Sequence, residues 1–299
     1  MPEQRYVIVT PARNEAAFIG KTIQAVIAQT RKPQAWIIVD DGSTDGTAEM
    51  ARNAAKNYPW ISVIERPDRG FRSVGQGSAQ AFRYGMDRLG EANYDYVCNL
   101  DADVLVGPRY YERMLAAFAS DPKLGIAVGW IYEEHNGVRV RLRCQEEMVA
   151  GAAKCWRRAC YEAIGGIVEH AAWDGIDCYK AMMLGWRTSA LGDRALNITH
   201  MRPLCTSYRG VLHGWAQRGR GMRFFGSDLL WVCASSVFHT RSRPFFFAGG
   251  AQLYGFAEAS FKRAPKLPDP GLRMFVKQWQ RSRLKDAVLS SVLRRDKNE

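Results

Sequence analysis

The sequence lacks any apolar run close to the roughly 20 residues that a membrane-spanning helix needs. Its first apolar stretch is interrupted at Arg13 and Asn14, which excludes the long apolar core of a secretory signal peptide. We therefore expect a chain that neither crosses a membrane nor is exported.

Cysteine pairs are also missing. The seven cysteines form no Cys-x-x-Cys pair and follow no regular spacing. An odd number of cysteines in apolar surroundings is typical of reduced thiols, so we expect a cytoplasmic protein. With 299 residues, 47% of them hydrophobic and 24% charged, the chain is long enough for one large globular domain with an appendage.

Acidic residues become scarce only in the last third of the chain. Residues 202–299 contain 18 Lys and Arg against 6 Asp and Glu, whereas residues 1–201 balance. Residues 227–239 and 244–261 are apolar and aromatic, and about 272–294 is basic. This composition favours helices that lie on an anionic membrane surface, and packing on the rest of the chain is the alternative.

Strands and helices alternate along the first hundred residues. Because this alternation predicts a parallel sheet with helices on both faces, ligands are expected at the carboxyl ends of the strands. The strand-end segments Pro11–Glu15, Asp40–Thr47 and Asp101–Asp103 should therefore meet at one edge. The predicted strands are 6–10, 36–39, 61–64 and 96–100, and the predicted helices are 16–29, a stretch ending near 57, and 77–89.

Two further strands are predicted downstream. Residues 125–132 read as one continuous strand, and 138–143 as a second, joined by an Asn-Gly turn at 136–137. Alternation places Arg139, Arg141 and Arg143 on one face, which is expected to be solvated, and a place along the active site is the alternative.

The pair Asp101 and Asp103 ends an apolar strand. Alternation along that strand places both carboxylates on one face, where they can share a hard divalent cation. An acidic loop that only caps the next element is the alternative. At the earlier strand end, Ser43 or Thr44 is a candidate helix cap, and Asp45 is another.

Three motifs occur in order: Thr-Pro-Ala-Arg-Asn-Glu at 10–15, Asp-Asp-Gly-Ser-Thr-Asp-Gly-Thr at 40–47 and Asp-Ala-Asp at 101–103. Over about residues 5–200 the chain resembles family 2 glycosyltransferases. The resemblance implies an α/β chain with a GT-A fold, which has a mostly parallel central sheet and helices on both faces. We expect a catalytic domain at 1–205 and a basic, aromatic-rich helical extension at 206–299.

The resemblance also implies a nucleotide-sugar donor, a divalent cation and an inverting transfer. Asp103 is expected on Mn²⁺ or Mg²⁺, and Asp101 near the ribose or the metal. His200 is a candidate third metal ligand or a structural histidine. The expected donor-binding residues are Pro11, Arg13, Glu15, Asp40, Asp41 and Asp101. Arg69 and Arg72 are weaker candidates for the phosphates.

The expected general base is Asp174. Relatives carry Glu-Asp where this chain has Trp173-Asp174, with Gly-Trp eleven residues later, as at Gly185-Trp186. Asp177 is the second candidate, and either aspartate could instead cap the predicted helix 178–184. The missing Glu leaves the choice between the two open.

The composition of the tail and the resemblance to bacterial exopolysaccharide-assembly enzymes imply a lipid-linked or saccharide acceptor. A polyprenyl-linked sugar of surface polysaccharide assembly is the favoured case, with the protein at the cytoplasmic face of the bacterial inner membrane. Processive relatives carry Gln-x-x-Arg-Trp, which residues 217–221 do not match, so processive polymerisation is not expected. A GT-A nucleotidyltransferase should have a Gly-rich loop after the first strand, and Pro11–Glu15 is not one. A nucleic-acid-binding protein would leave the acidic motifs unexplained, so no nucleic acid is expected as a partner.

Overall fold

The computed structural model describes residues 4–71, 73, 75–90, 92–135, 138–142, 145–202, 210–242 and 244–295, apart from the side chains of 135 and 288–295. Arg72, Arg143 and the expected turn at 136–137 lie outside these residues. The chain divides into two compact units, Met1–Leu204 and Cys205–Glu299.

The first unit combines strands and helices as the sequence predicts. The strands are β1 (Tyr6–Ala12), β2 (Ala35–Asp40), β3 (Ile61–Glu65), β4 (Tyr96–Asn99), β5 (Val104–Val106), β6 (Leu124–Gly129), β7 (Ile131–His135), β8 (Val138–Arg141), β9 (Cys155–Arg157), β10 (Arg187–Leu191) and β11 (Ile198–His200). The helices are α1 (Ile19–Ile27), α2 (Thr47–Ala55), α3 (Gln76–Met86), α4 (Tyr110–Ser120), α5 (Arg158–Ala163) and α6 (Trp173–Met183).

The main sheet has seven strands in the order β10-β6-β9-β4-β1-β2-β3. Every pairing is parallel except those of β9, which runs antiparallel to both β4 and β6. Residues 6–10 of β1 are all buried, as expected of a strand covered on both faces. The predicted α/β class with a mostly parallel sheet is confirmed.

A second, four-stranded sheet has the order β5-β11-β7-β8. The single strand predicted at 125–132 is wrong, because the chain changes sheets at Trp130, whose carbonyl accepts from the amide of Ile198 at 2.9 Å. Gly129 is required at the crossing, since a Cβ there would lie 1.5 Å from the carbonyl oxygen of Leu196.

The strand-end segments gather at one edge of the main sheet, as predicted. Ala12 pairs in register with Asp40, and the amide of Leu100 donates to the carbonyl of Val9. Hydrogen bonds also tie the loops together. The amide of Asn14 donates to Ser43 Oγ at 2.9 Å, and the amide of Glu15 donates to Thr47 Oγ1 at 2.8 Å.

The predicted caps at Ser43 and Thr44 are wrong, because their polar groups bridge to the loop at Asn14. Asp45 stabilises the start of α2 instead, accepting from the amide of Thr47 at 3.1 Å. Burial opposes ionisation there, but hydrogen bonds from Thr47 and Ala16 lower the pKa of Asp45 overall.

The second unit is helical within its described residues. Its helices are α7 (Val211–Phe224), α8 (Leu229–His239), α9 (Phe247–Phe261) and α10 (Pro270–Arg295). Among the described residues, no helix combines the length and apolar character needed to cross a membrane.

Candidate active site

Asp101, Asp103 and His200 form one cluster, in which a ligand atom from each residue lies within 4.8 Å of the others. Strand pairing assembles it, because β5 follows Asp103 and runs antiparallel to β11, with His200 opposite Val104. Thr22 fixes the connecting turn by donating its hydroxyl to the carbonyls of Ala102 and Val104.

The ring of His200 is oriented toward this cluster by its own backbone neighbourhood. Its Nδ1 lies 2.5 Å from the carbonyl oxygen of Arg202. A carbonyl can only accept, so Nδ1 carries the proton and donates. In the neutral ring Nε2 then carries a lone pair, and it faces Asp103 Oδ1 at 3.7 Å. Two acceptors facing one another across this gap fit a divalent cation between them.

Asp101 completes the acidic character of the cluster. Burial, and next the neighbouring charge of Asp103, raise the pKa of Asp101 to about 6, although the residue is only half-buried. Asn99 opposes this by donating Nδ2 to Asp101 Oδ1 at 2.9 Å. A bound cation would favour the ionised form, which is the form that ligates metals.

Arg202 is a member of the site that the sequence analysis missed. Its Nη2 lies 2.6 Å from Asp103 Oδ2 and 2.8 Å from Glu15 Oε1. The guanidinium therefore neutralises Asp103 Oδ2, while Asp103 Oδ1 faces His200 Nε2. A basic residue two positions after the candidate histidine was the available signal.

Asp40 lies at the end of β2, at the same edge of the main sheet. The side chain is buried, and Oδ2 accepts from the amide of Ser43 at 3.1 Å. Oδ1 has no hydrogen-bond partner within the described part of the chain. A buried carboxylate oxygen is costly to leave unpaired, so this atom fits a ligand that donates a hydrogen bond.

Asp41 and Arg13 lie at the same edge, but their side chains contact the loop at residues 66–69. Asp41 forms ion pairs with Arg66, at 2.8 Å, and with Arg69. Burial raises the pKa of Asp41 in spite of these arginines. Arg13 donates to the carbonyl of Asp41 and, at 2.6 Å, to Asp68 Oδ1. Arg13 and Asp41 were expected to bind the donor, and in the structure they hold the loop at residues 66–69 in place.

Pro11 and Glu15 flank the segment 12–14, which contains Arg13. Pro11 pairs in register with Val39 inside the main sheet. Glu15 is buried and contacts Arg202, as described above.

Asp174 and Asp177 occupy different environments on α6. The predicted helix start at 178 is too late, since α6 begins at Trp173. Asp174 lies in its first turn and is half-buried. The expectation that Asp177 caps the helix is wrong, because it lies a turn further on, with only 1% of its side chain exposed.

Asp177 is held by Lys154, which sequence reasoning also missed. Lys154 Nζ lies 2.8 Å from Asp177 Oδ1, and Trp156 Nε1 donates to Oδ2 at 2.9 Å. Burial raises the pKa of Asp177 to about 6, and Lys154 limits the rise. A lone lysine within the apolar run 151–156 was the only signal in the sequence.

Gly151 connects the acidic cluster to Asp174. Asn99 Nδ2 donates both to Asp101 Oδ1 and, at 2.7 Å, to the carbonyl of Gly151. A Cβ on Gly151 would lie 2.7 Å from Trp173 and 3.7 Å from the Cβ of Asp174. Asp101 and Asp174 therefore lie on the two sides of this glycine.

Residues 7–172 match the family model described as Glycosyl transferase family 2. The chain is also similar to poly-β-1,6-N-acetyl-D-glucosamine synthases from Staphylococcus aureus (strain COL), at 35% identity, and from Staphylococcus epidermidis, at 31%. Each of these matches spans 116 residues, which is 39% of this chain and 26% of the synthase. The chain thus corresponds to about a quarter of the length of these relatives.

Solved structures extend the likeness to most of the chain. A mannosyltransferase from Pyrobaculum calidifontis, in complex with GDP-Man and Mn²⁺, has a TM-score of 0.57 at 18% identity, covering 96% of this chain and 87% of its own. Residues 1–349 of Staphylococcus aureus TarS, in complex with UDP-GlcNAc, give 0.53 at 16% identity, covering 87% and 73%. At these identities the likeness shows the fold, and it confirms the predicted GT-A architecture.

Proposed function

This chain belongs to glycosyl transferase family 2, and we propose that it transfers a sugar from a UDP- or GDP-sugar to an acceptor hydroxyl with inversion at the anomeric carbon. The observation that carries the proposal is the cluster of Asp101, Asp103 and His200, with His200 Nε2 facing Asp103 Oδ1. Membership of the family supports inversion.

Asp101, Asp103 and His200 would hold the metal, either Mn²⁺ or Mg²⁺. When bound, the cation supplies positive charge for the departing diphosphate. The nucleotide lies at the neighbouring strand end, where Asp40 Oδ1 accepts a hydrogen bond from the base or the ribose. Pro11, Arg13, Glu15 and Asp41 shape that edge.

Asp174 is the general base. Its carboxylate takes the proton of the acceptor hydroxyl while the acceptor oxygen bonds to the anomeric carbon and the bond from that carbon to the diphosphate oxygen breaks. Asp177 is unsuited to this role, because its two oxygens are committed to Lys154 and Trp156 and its side chain is enclosed. It is a positioning residue for α6.

The acceptor is a lipid-linked sugar of surface polysaccharide assembly, and the protein works as a peripheral protein on the cytoplasmic face of the bacterial inner membrane. The similarity to the Staphylococcus polysaccharide synthases supports the polysaccharide, and the basic residues of 202–299 support an anionic membrane surface as partner. In this scheme residues 1–205 carry catalysis and 206–299 form the extension.

A screen of nucleotide sugars by thermal unfolding tests the proposal. A donor held at about 100 times its Kd adds about 2.7 kcal/mol to the free energy of unfolding, so its melting temperature rises. We expect this rise with one UDP- or GDP-sugar and Mn²⁺ or Mg²⁺, and its loss in Asp103→Asn. Arg113→Gln, which removes an exposed ion pair with Asp193, is the matched control and should respond as the native chain does. Stabilisation that is equal with and without metal would contradict the proposed site.

A further inference from the structure

Helix α8 of the second unit exposes only apolar residues. Val237 is 70% exposed and Leu230 is 69% exposed. The exposed positions recur every three or four residues, so they form one face of the helix. They are Leu229, Leu230, Cys233, Ala234, Val237 and Phe238.

Helix α9 repeats this pattern. Phe261 is 91% exposed, and Phe246, at the start of the helix, is 77% exposed. Soluble proteins rarely leave contiguous apolar surfaces of this kind open to water. The exposed positions within α9 are Phe247, Gly250, Leu253, Tyr254, Ala257 and Phe261, and none of them is charged.

The contacts between the helices, in contrast, use small and polar residues. A Cβ on Gly249 would lie 2.0 Å from the carbonyl oxygen of Ser236, so the backbones of α9 and α8 touch there. Buried Gln252 donates from α9 to the hydroxyls of Ser235 and Ser236 at 3.1 and 3.2 Å. On the other side of α9, a Cβ on Gly255 would lie 1.9 Å from the carbonyl oxygen of Ala216 in α7.

This polarity is the reverse of that of a water-soluble helix pair. Helices solvated by lipid associate through glycine, serine and interhelical hydrogen bonds, and they turn leucine and phenylalanine outward. A helix pair in water buries its apolar stripe. The distribution of residues on α8 and α9 matches the lipid case.

Cations lie at both ends of the helix pair. Arg241 follows α8, and Lys262 and Arg263 follow α9, all three exposed. Basic side chains at these positions complement the phosphates of lipid headgroups, while the apolar faces between them suit acyl chains. Helices of 11 and 15 residues are shorter than the roughly 20 residues that span a bilayer.

We propose that α8 and α9 insert their apolar faces into one leaflet of a lipid bilayer. Attachment then depends on apolar burial and survives high salt, unlike binding by the basic residues alone. The measurements below follow lipid and not sugar transfer, so the failure of either proposal leaves the other standing.

Flotation of the full chain with phosphatidylcholine vesicles in high salt is the first test. We expect the chain to float with these neutral vesicles. Phe246→Ser, Phe247→Ser and Phe261→Ser should each lower the partition coefficient on the order of tenfold. Met274→Ser is the matched control, since it removes a 60% exposed apolar side chain from α10 instead. Circular dichroism confirms that each variant is folded.

A dye on Cys233 measures depth. Cys233 is an exposed thiol on the apolar face of α8, and the other described cysteines are buried. Cys144 and Cys205 are replaced by serine, and an environment-sensitive fluorophore is attached to Cys233. We expect vesicles to shift its emission to the blue and spin labels on the acyl chains to quench it.

Three results would overturn insertion. The chain could remain unbound to neutral vesicles, or leave anionic vesicles when salt is raised, which would indicate surface adsorption alone. The dye could be quenched only by aqueous quenchers. Finally, light scattering could show a stable dimer without lipid, with the Cys233 dye already shifted, which would mean that a second copy covers these faces.

Discussion

Arg202 places Nη2 2.6 Å from Oδ2 of Asp103, so a fixed cation already contacts the carboxylate proposed to hold the metal. Arg202 and a divalent ion therefore compete for the charge of Asp103. Arg202→Gln should tighten Mn²⁺ binding in the absence of nucleotide on the order of tenfold, since a charge-assisted hydrogen bond contributes about 1.5–3 kcal/mol. Isothermal titration with MnCl₂ measures this, and weaker binding would show that Arg202 supports the site.

Replacing Asp177 should cost stability. Asp177→Asn leaves Lys154 buried without its charged partner, and breaking a buried pair costs about 3–5 kcal/mol of the free energy of unfolding. Urea unfolding measures the loss. Asp174→Asn, a turn earlier on the same helix, is the matched control and should change stability by about 0.5 kcal/mol or less. Equal stabilities for the two variants would contradict the structural assignment of Asp177.

The same control variant tests the base. Asp174→Asn should bind donor and metal normally, because the change lies outside the cluster that holds them. Its transfer rate should fall by about 10²–10⁴-fold, the range expected for removing a general base. Donor binding by titration and sugar transfer by product analysis separate the two effects. Normal transfer by Asp174→Asn would disprove the assignment.

Metal binding should weaken in acid. Burial and Asp103 raise the pKa of Asp101 to about 6, and metal binds the ionised form. Apparent Mn²⁺ affinity should therefore fall as pH drops through about 6, by up to about tenfold per unit. The sign for the metal-free fold is opposite, because a carboxyl group whose pKa is raised on folding destabilises the fold above that pKa and less below it. Mn²⁺ titrations across this range, with Asp101→Asn as the control, check the first effect, and urea unfolding of the metal-free chain across the same range checks the second.

We expect Asp40 to contribute to nucleotide affinity and Asp45 to contribute to the stability of the fold. Asp40→Asn removes the unpaired acceptor charge and should weaken UDP or GDP binding on the order of tenfold, since a hydrogen bond to a charged group contributes about 1.5–3 kcal/mol. Asp45→Ala removes the hydrogen bonds at the start of α2 and should cost about 1 kcal/mol of stability while nucleotide still binds. Nucleotide titration and urea unfolding of both variants distinguish the roles. If Asp45→Ala lost nucleotide binding and Asp40→Asn did not, the roles assigned to Asp40 and Asp45 would be wrong.

The edge of the site could be predicted from the sequence because its position depends on local patterns. Strand-helix order correctly placed Asp40 and the segment 101–103 at one edge. The alternation expected to put Asp101 and Asp103 on one face does not apply, because both lie in the turn between β4 and β5. The structure brings His200 into that cluster, and its role as a metal ligand stays a prediction.

Residues whose role depends on tertiary pairing were not predictable. Nothing next to Lys154 in the sequence indicates that it is buried. Its burial opposite Asp177 results from the antiparallel pairing of β9 with β4. Arg202 follows β11, so it contacts Asp103 only once β11 has paired with β5. The break at Trp130 was missed because residues on both sides of it are apolar, and periodicity alone does not show a change of sheet.

The pairing of β5 with β11 also dictates when the site can exist. Asp103 and His200 lie about a hundred residues apart, and such non-local strand pairings form slowly during folding. On the ribosome, the three ligands cannot meet before β11 has emerged. In the proposed function, a bound cation would stabilise only the completed domain, so it would favour a late step of folding in addition to supplying charge for the leaving group.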